Sequence, residues 1–173
     1  MSEDERLSEP PEVQWAGKYI RTVTRGGWEY VERCGGMGAV VILAEIDGKV
    51  ILIAQSRVPL GGRTCLELPA GLVGDEDNKS VEATAIKELE EETGFTAERI
   101  ERLGFFYSSP GMVAEGFDLV RAHDVRRIGA ATEYGIETHL VDRDRVAEFV
   151  AERRAAGVAI DVKLLLLLAG SIL

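Results

Sequence analysis

Cysteine is scarce: Cys34 and Cys65 are the only two in 173 residues. Two thiols make neither a disulfide framework nor a zinc site. A reducing cytoplasm is therefore the expected compartment. Basic charge is also short, with 20 Lys and Arg against 30 Asp and Glu and a net charge of -10. That balance argues against a nucleic-acid backbone or an anionic membrane as the main partner. Long apolar runs are missing as well. The run from Leu164 to Leu173 is too short to span a bilayer and reads as a buried terminal helix. The opening residues Met1 to Arg6 are acidic and polar, without the pattern of a secretory or transit peptide. His123 and His139 are isolated and carry no expected ligand role. The chain shows no internal repeat and no low-complexity tract.

What is present suits one domain with a small appendage, since 46% of residues are hydrophobic. The first dozen residues, with Pro10 and Pro11, read as a flexible lead. Lys18–Arg25 and Trp28–Cys34 flank Gly26-Gly27 as a hairpin. Ala39–Ile46 and Lys49–Ala54 form a stronger hairpin across Asp47-Gly48. Pro59–Arg63 reads as a loop, Cys65–Leu68 as a short strand, and Gly71–Lys79 as an acidic loop. Ser80 caps a helix over Val81–Thr93 that Gly94 closes. Strands are predicted near Ile100–Tyr107, Gly116–Ala122 and Ile136–Val141. Helices follow over Asp144–Ala156 and from Asp161 to the end. The expected class is α+β, an α/β/α sandwich around a mixed sheet. Residues 1–36 form a lead and an N-terminal β-hairpin arm, and 37–173 the main domain.

The helix Val81–Thr93 carries the most informative pattern. At about 100° per residue, Glu88, Glu91 and Glu92 fall within an arc of roughly 100°. Ala85, Ile86 and Leu89 lie on the adjoining arc, and Glu90 points away. Like charges at these spacings repel, and acids near a helix C-terminus oppose its dipole. A hard divalent cation, Mg²⁺ or Mn²⁺, removes both penalties. A solvated acidic face is the plain alternative for three glutamates alone.

The surroundings decide between these. Gly71, followed by Lys87-Glu88-Leu89-Glu90-Glu91-Glu92-Thr93-Gly94-Phe95, resembles the Nudix box. The family pattern is Gly, five residues, Glu, seven residues, then Arg-Glu-(apolar)-x-Glu-Glu-x-Gly-(apolar). Lys87 stands where the family has Arg, and keeps the charge without the planar fork. The interval from Gly71 to Lys87 is two residues longer than the family spacing. The first Glu of the box therefore falls on Asp77 or Lys79, with Glu76 and Glu82 nearby.

The flanks resemble the ADP-ribose pyrophosphatase subfamily. Gln55-Ser56-Arg57 and Leu66-Glu67-Leu68-Pro69-Ala70-Gly71-Leu72 look like its region before the box. Ser109-Pro110-Gly111-Met112-Val113-Ala114-Glu115 looks like its Ser-Pro-Gly-x-x-x-Glu loop, with Pro110 16 residues after Gly94. The resemblance implies Mg²⁺-dependent hydrolysis of ADP-ribose to AMP and ribose 5-phosphate. It implies Glu88, Glu91, Glu92 and the Ala70 carbonyl as metal ligands, with Glu91 and Glu92 also serving catalysis. Arg57 would meet phosphate. Glu133 is the expected general base, with Glu115 and Glu137 as rivals. Glu137 is expected to face solvent. Gly111 and Glu115 would contact substrate. Glu67 would bond ribose, the metal shell or Arg57. Trp28 would stack on adenine or pack at a dimer interface, since the hairpin resembles the subfamily's dimerisation arm. Packing of that hairpin on its own domain is the alternative. Rival activities are hydrolysis of a nucleotide sugar such as GDP-mannose or ADP-glucose, and a non-catalytic nucleotide sensor.

Overall fold

The computed structural model describes residue 6, residues 8–74 and residues 80–168. Asp77, Lys79 and Glu76, where the first Glu of the box was sought, lie outside the described residues. So does the chain end beyond 168.

The core is written into β4 (Gly38–Ile46) and β5 (Lys49–Arg57). Their near-continuous apolar runs are those of strands covered on both faces. Alternate residues go to opposite sides. Val40, Ile42 and Ala44 join Ile51, Ala85, Leu89 and Val120 in one cluster. Val41 and Leu43 join Leu52, Leu66, Leu119, Val150 and Leu164 in the other. Helix α1 (Val81–Thr93) supplies Ala85 and Leu89 to the first, and α2 (Val146–Ala155) supplies Val150 to the second. This is the expected α+β sandwich: a mixed sheet with a helix on each face.

Beside β4 and β5, the main sheet holds β6 (Arg63–Glu67), β7 (Ala70–Val73), β9 (Arg99–Tyr107), β10 (Gly116–His123), β12 (Ile136–Asp142) and β13 (Ala159–Ile160). Its order is β13-β6-β5-β4-β10-β9, with β12 also pairing β5 and β7 also pairing β4. β4 lies parallel to β10 and antiparallel to its other partners. Across the Asp47-Gly48 turn, β4 and β5 are in register at Glu45–Val50 and Ile46–Lys49. They then part: β4 takes β7, and β5 takes β6 and β12. The parting opens a wedge, and α1 lies across it.

Four expectations are corrected. A strand not expected between lead and hairpin, β1 (Glu12–Ala16), adds to β2 (Ile20–Arg25) and β3 (Trp28–Arg33), making a three-stranded sheet instead of a hairpin. Gly71–Val73 is strand, not loop, since β4 supplies its partners. Short strands β8 (Phe95–Thr96) and β11 (Arg126–Arg127) pair where none was expected. The final leucine run is a 3-10 helix over Val162–Leu168, preceded by β13, with Leu164 fully buried and Val162 and Leu165 exposed. The N-terminal sheet packs on its own domain. Val31 N–H donates to Met112 O at 3.0 Å, and Ala114 N–H donates to Val31 O at 2.8 Å. Among the described residues no helix is long and apolar enough to cross a membrane.

Helix α1 begins where expected. The Ser80 hydroxyl accepts from Ala83 N–H at 3.2 Å, and Gly94 ends the helix at φ +76°. A Cβ on Gly94 would meet Gly129 O at 2.6 Å and the Ala130 carbonyl carbon at 2.9 Å. Gly157 has φ +86° but open space around it. Gly94→Ala should therefore cost backbone strain and a backbone clash, and Gly157→Ala the strain alone. We expect about 1 kcal/mol from Gly157→Ala and clearly more, about 2–4 kcal/mol, from Gly94→Ala. Urea unfolding measures both, and equal losses would contradict the packing of residues 129–131 on the helix end.

Candidate metal centre

Helix α1 is fixed by Ala85 and Leu89, both completely buried. That rotation turns Glu88 and Glu92, one helical turn apart, into the wedge. Glu92 is only 4% exposed, and Ala70 N–H donates to its Oε2 at 3.0 Å. Glu133 arrives from the other side on the segment between β11 and β12. Thr132 N–H and Glu133 N–H both donate to Glu91 O at 2.9 Å. Ile128 N–H and Gly129 N–H donate to Gly94 O at 2.9 and 3.2 Å. The carbonyls left open at the helix end thus hold the segment that delivers Glu133. One carboxylate oxygen from each of Glu88, Glu92 and Glu133 lies within 4.8 Å of the others. The cleft around them, about 250 Å³, is also lined by Gln55, Arg57, Ala70, Gly71, Leu72, Thr84 and Lys87.

Gly71 faces Glu88 so closely that a Cβ there would overlap the Glu88 side chain. The glycine of the box is therefore a space requirement of the first acid. Glu91 stands apart from the three. Its carboxylate is 41% exposed and 3.2 Å from Lys87 Nζ. The helical arc contains Glu91, but the carboxylate group the structure brings together takes Glu133 in its place. Glu90 turns elsewhere, accepting from the Thr96 hydroxyl at 2.6 Å.

Burial, foremost, and the nearby Glu88 and Glu133 carboxylates push the Glu92 carboxyl up to about 8. The Ala70 N–H and Arg57 pull the other way and do not prevail. A site that crowds three acids around a buried carboxyl fits a hard divalent cation with oxygen ligands. Glu88, Glu92 and Glu133 are the residues positioned to hold one.

Arg57 and Glu67 form a two-pronged ion pair. Arg57 Nε donates to Glu67 Oε1 at 2.7 Å, and Nη2 donates to Oε2. Glu67 is 3% exposed, so its charge is matched at close range. Of the three partners considered for Glu67, the structure gives it Arg57. Glu115 is held by Arg33, Nε to Oε1 at 2.6 Å. Gly111 lies in a turn where Met112 N–H and Val113 N–H donate to Ser109 O. Trp28, 54% exposed on β3, lines neither this cleft nor the cleft beside it, and nor does Gly111. Glu137 faces solvent, its side chain 72% exposed. His123 pairs with Glu101 at 2.6 Å, and His139 packs 5.4 Å from the Phe149 ring.

Sequence reasoning missed Gln55 and Thr84 as lining residues. Gln55 was within reach, because it shares a strand face with Arg57 two residues on. Thr84 sits one turn before Glu88, on the same side of the helix.

The raised Glu92 carboxyl has a consequence for stability. Without metal, the folded protein keeps a proton that the unfolded chain releases from about 4.5 upward. Stability therefore falls as pH rises from 4.5 through about 8. The loss is on the order of 5 kcal/mol at most. In a chelator, Tm should be lower at pH 8.5 than at pH 6, and Mg²⁺ should recover more at pH 8.5. Glu92→Gln should flatten both trends. Thermal scans check this, and a Mg²⁺ gain independent of pH would contradict the crowding of charge.

A family model described as NUDIX domain matches residues 36–154. The ADP-ribose pyrophosphatase of Bacillus subtilis (strain 168) is 48% identical over 79 residues, 45% of this chain and 41% of that protein. The GDP-mannose pyrophosphatase of Yersinia pestis (strain Pestoides F) is 35% identical over 115 residues, 62% of this chain and 56% of that protein. The methanol dehydrogenase activator of Bacillus methanolicus is 30% identical over 122 residues, 68% of this chain and 64% of that protein. The chain thus spans about half the length of the curated relatives it matches. A solved structure titled as an ADP compounds hydrolase superposes with a TM-score of 0.68 at 20% identity, covering 93% of this chain and 90% of that one, a likeness of fold. Box, fold and family match agree, and the chain belongs to the NUDIX domain family.

Proposed function

We propose that this protein is a Mg²⁺-dependent hydrolase that splits the diphosphate of ADP-ribose into AMP and ribose 5-phosphate. The observation that carries the reading is the convergence of Glu88, Glu92 and Glu133 within 4.8 Å beside Arg57. The names of the relatives support the substrate class: ADP-ribose, ADP-sugars and GDP-mannose. Bound Mg²⁺, or Mn²⁺, would neutralise diphosphate oxygens and acidify a water molecule.

The chain's own residues do the rest. Glu88 and Glu92 hold the cation from one helix face, with the carbonyl of Ala70 as a further ligand. Glu91 joins them only by leaving Lys87. Glu133 stands nearest the cleft mouth of the three and receives the proton of the attacking water. Its anchoring to the Glu91 carbonyl keeps it within reach of that water. Glu67 occupies Nε and Nη2 of Arg57, so a phosphate is met by the remaining Nη1 donors. Residues 1–36 serve as an arm, and Trp15 and Trp28 exposed on its sheet, with Tyr19 exposed beside them, support a homodimer. The two free cysteines suit the cytoplasm.

A nucleotide-sugar substrate of the GDP-mannose type is the second reading, favoured by the relative of that name. A panel of ADP-ribose, ADP-glucose, GDP-mannose and a nucleoside triphosphate separates the readings. ADP-ribose should be cleaved fastest, with AMP as a product. Glu133→Gln should lower kcat by roughly 10²–10⁴ and weaken Mg²⁺ binding less than Glu92→Gln does. Glu92→Gln should lower both. Binding without turnover of any member would reject hydrolysis and favour a sensor. Light scattering on the same sample should give twice the chain mass, and a monomer would reject the dimer.

A further inference from the structure

A second cleft of about 480 Å³ adjoins the metal cleft and shares Arg57, Ala70, Gly71 and Leu72 with it. Its far walls come from outside residues 36–154, the part of the chain that the family match covers. Arg33 enters from β3, and Asp161 and Lys163 enter from the C-terminal segment. That segment is tightly placed. β13 pairs in parallel with β6, Asp161 N–H donates to Leu66 O at 3.0 Å, and Leu164 is fully buried. Asp161 then takes Lys163 twice: the Lys163 N–H at 2.8 Å and the ammonium at 2.5 Å.

The chemistry of these walls is distinctive. Acid and base alternate as Arg33–Glu115 and Asp161–Lys163 pairs, each partly open to the cleft. Carboxylates accept from hydroxyls, and ammonium and guanidinium donate to hydroxyl and ring oxygens. The lining offers no exposed aromatic face for a base, because Phe117 is 4% exposed and stacked on Phe106. A polyhydroxylated group matches this set of donors and acceptors better than a flat base does.

Resting on the diphosphate-sugar reading above, we propose that Asp161 and Lys163 set specificity for the sugar half of the substrate. Through Arg57, the cleft they wall meets the metal cleft, so a diphosphate lying over Glu88 and Glu92 extends its sugar toward them. The C-terminal segment thereby adds a recognition surface to the family domain.

The test compares ADP-ribose with the methyl ester of ADP, which keeps the diphosphate and replaces the sugar by a methyl group. Lys163→Met keeps the buried stem and removes the charge. We expect it to raise KM for ADP-ribose about tenfold, with kcat within about twofold and the methyl ester unaffected. Lys163→Arg should restore most of the loss, and Asp161→Asn should mimic Lys163→Met. Equal effects on both substrates, or no effect on either, would overturn the assignment. If the wild-type protein hydrolyses neither compound, calorimetry with Mg²⁺ takes over. A preference for ADP-ribose that Lys163→Met erases then supports the sugar site while hydrolysis fails. Binding of both compounds without preference, or of neither, overturns the sugar site.

Discussion

Glu92 is a carboxylate held out of water, with the Ala70 amide on one oxygen and two other carboxylates within 4.8 Å. Most of the architecture follows from making that arrangement possible. Ala85 and Leu89 anchor the helix that carries it. The early parting of β4 and β5 provides the wedge that receives it. Gly71 leaves room for Glu88, and Gly94 lets the chain turn close enough for its carbonyl to hold residues 128 and 129. Two of these features cost stability in isolation: a buried acid and a glycine in a strand. On the proposed reading, a divalent cation held by the three acids would offset the larger of them and so link metal binding to folding.

Around this centre the other charges are matched in pairs. Arg57–Glu67, Arg33–Glu115 and Asp161–Lys163 each join different surroundings to the rim of the two clefts. Buried or half-buried pairs of this kind add little net stability, but losing one partner leaves a costly lone charge. Their value is positional. They hold donors and acceptors in fixed directions before a ligand arrives, which lowers the ordering cost of binding. Arg57 lines both clefts, so on the proposed reading it would tie the reacting phosphate to the recognition surface beyond it.

The legible features in the sequence were those with local causes. Helix α1 could be read from Ser80 to Gly94 because cap, periodicity and terminating glycine are all local signals. The β4–β5 hairpin was legible from its turn and its apolar runs. Strands β7 and β13 were not, since their extended state comes from partners distant in sequence. The leucine run beyond Asp161 looked α-helical by composition. The strand just before it and the Leu164 N–H bond to Asp161 O, an i to i+3 contact, favour the tighter 3-10 form. At the site, angular arithmetic gave the acidic arc but not which carboxylate turns inward. Glu91 pairs with Lys87 in this metal-free structure, and a segment more than forty residues away supplies Glu133. Lys163 and Arg33 lay in stretches without a motif, and only the fold brings them to one cleft.

Glu88, Glu92 and Glu133 are proposed to form the cation site. Crystals grown with Mn²⁺ and measured at the manganese absorption edge test it most directly. An anomalous peak is expected within coordination distance, about 2.2 Å, of carboxylate oxygens from all three. A peak on Glu91 and Lys87's side of the helix, with Glu133 left in solvent, would contradict it.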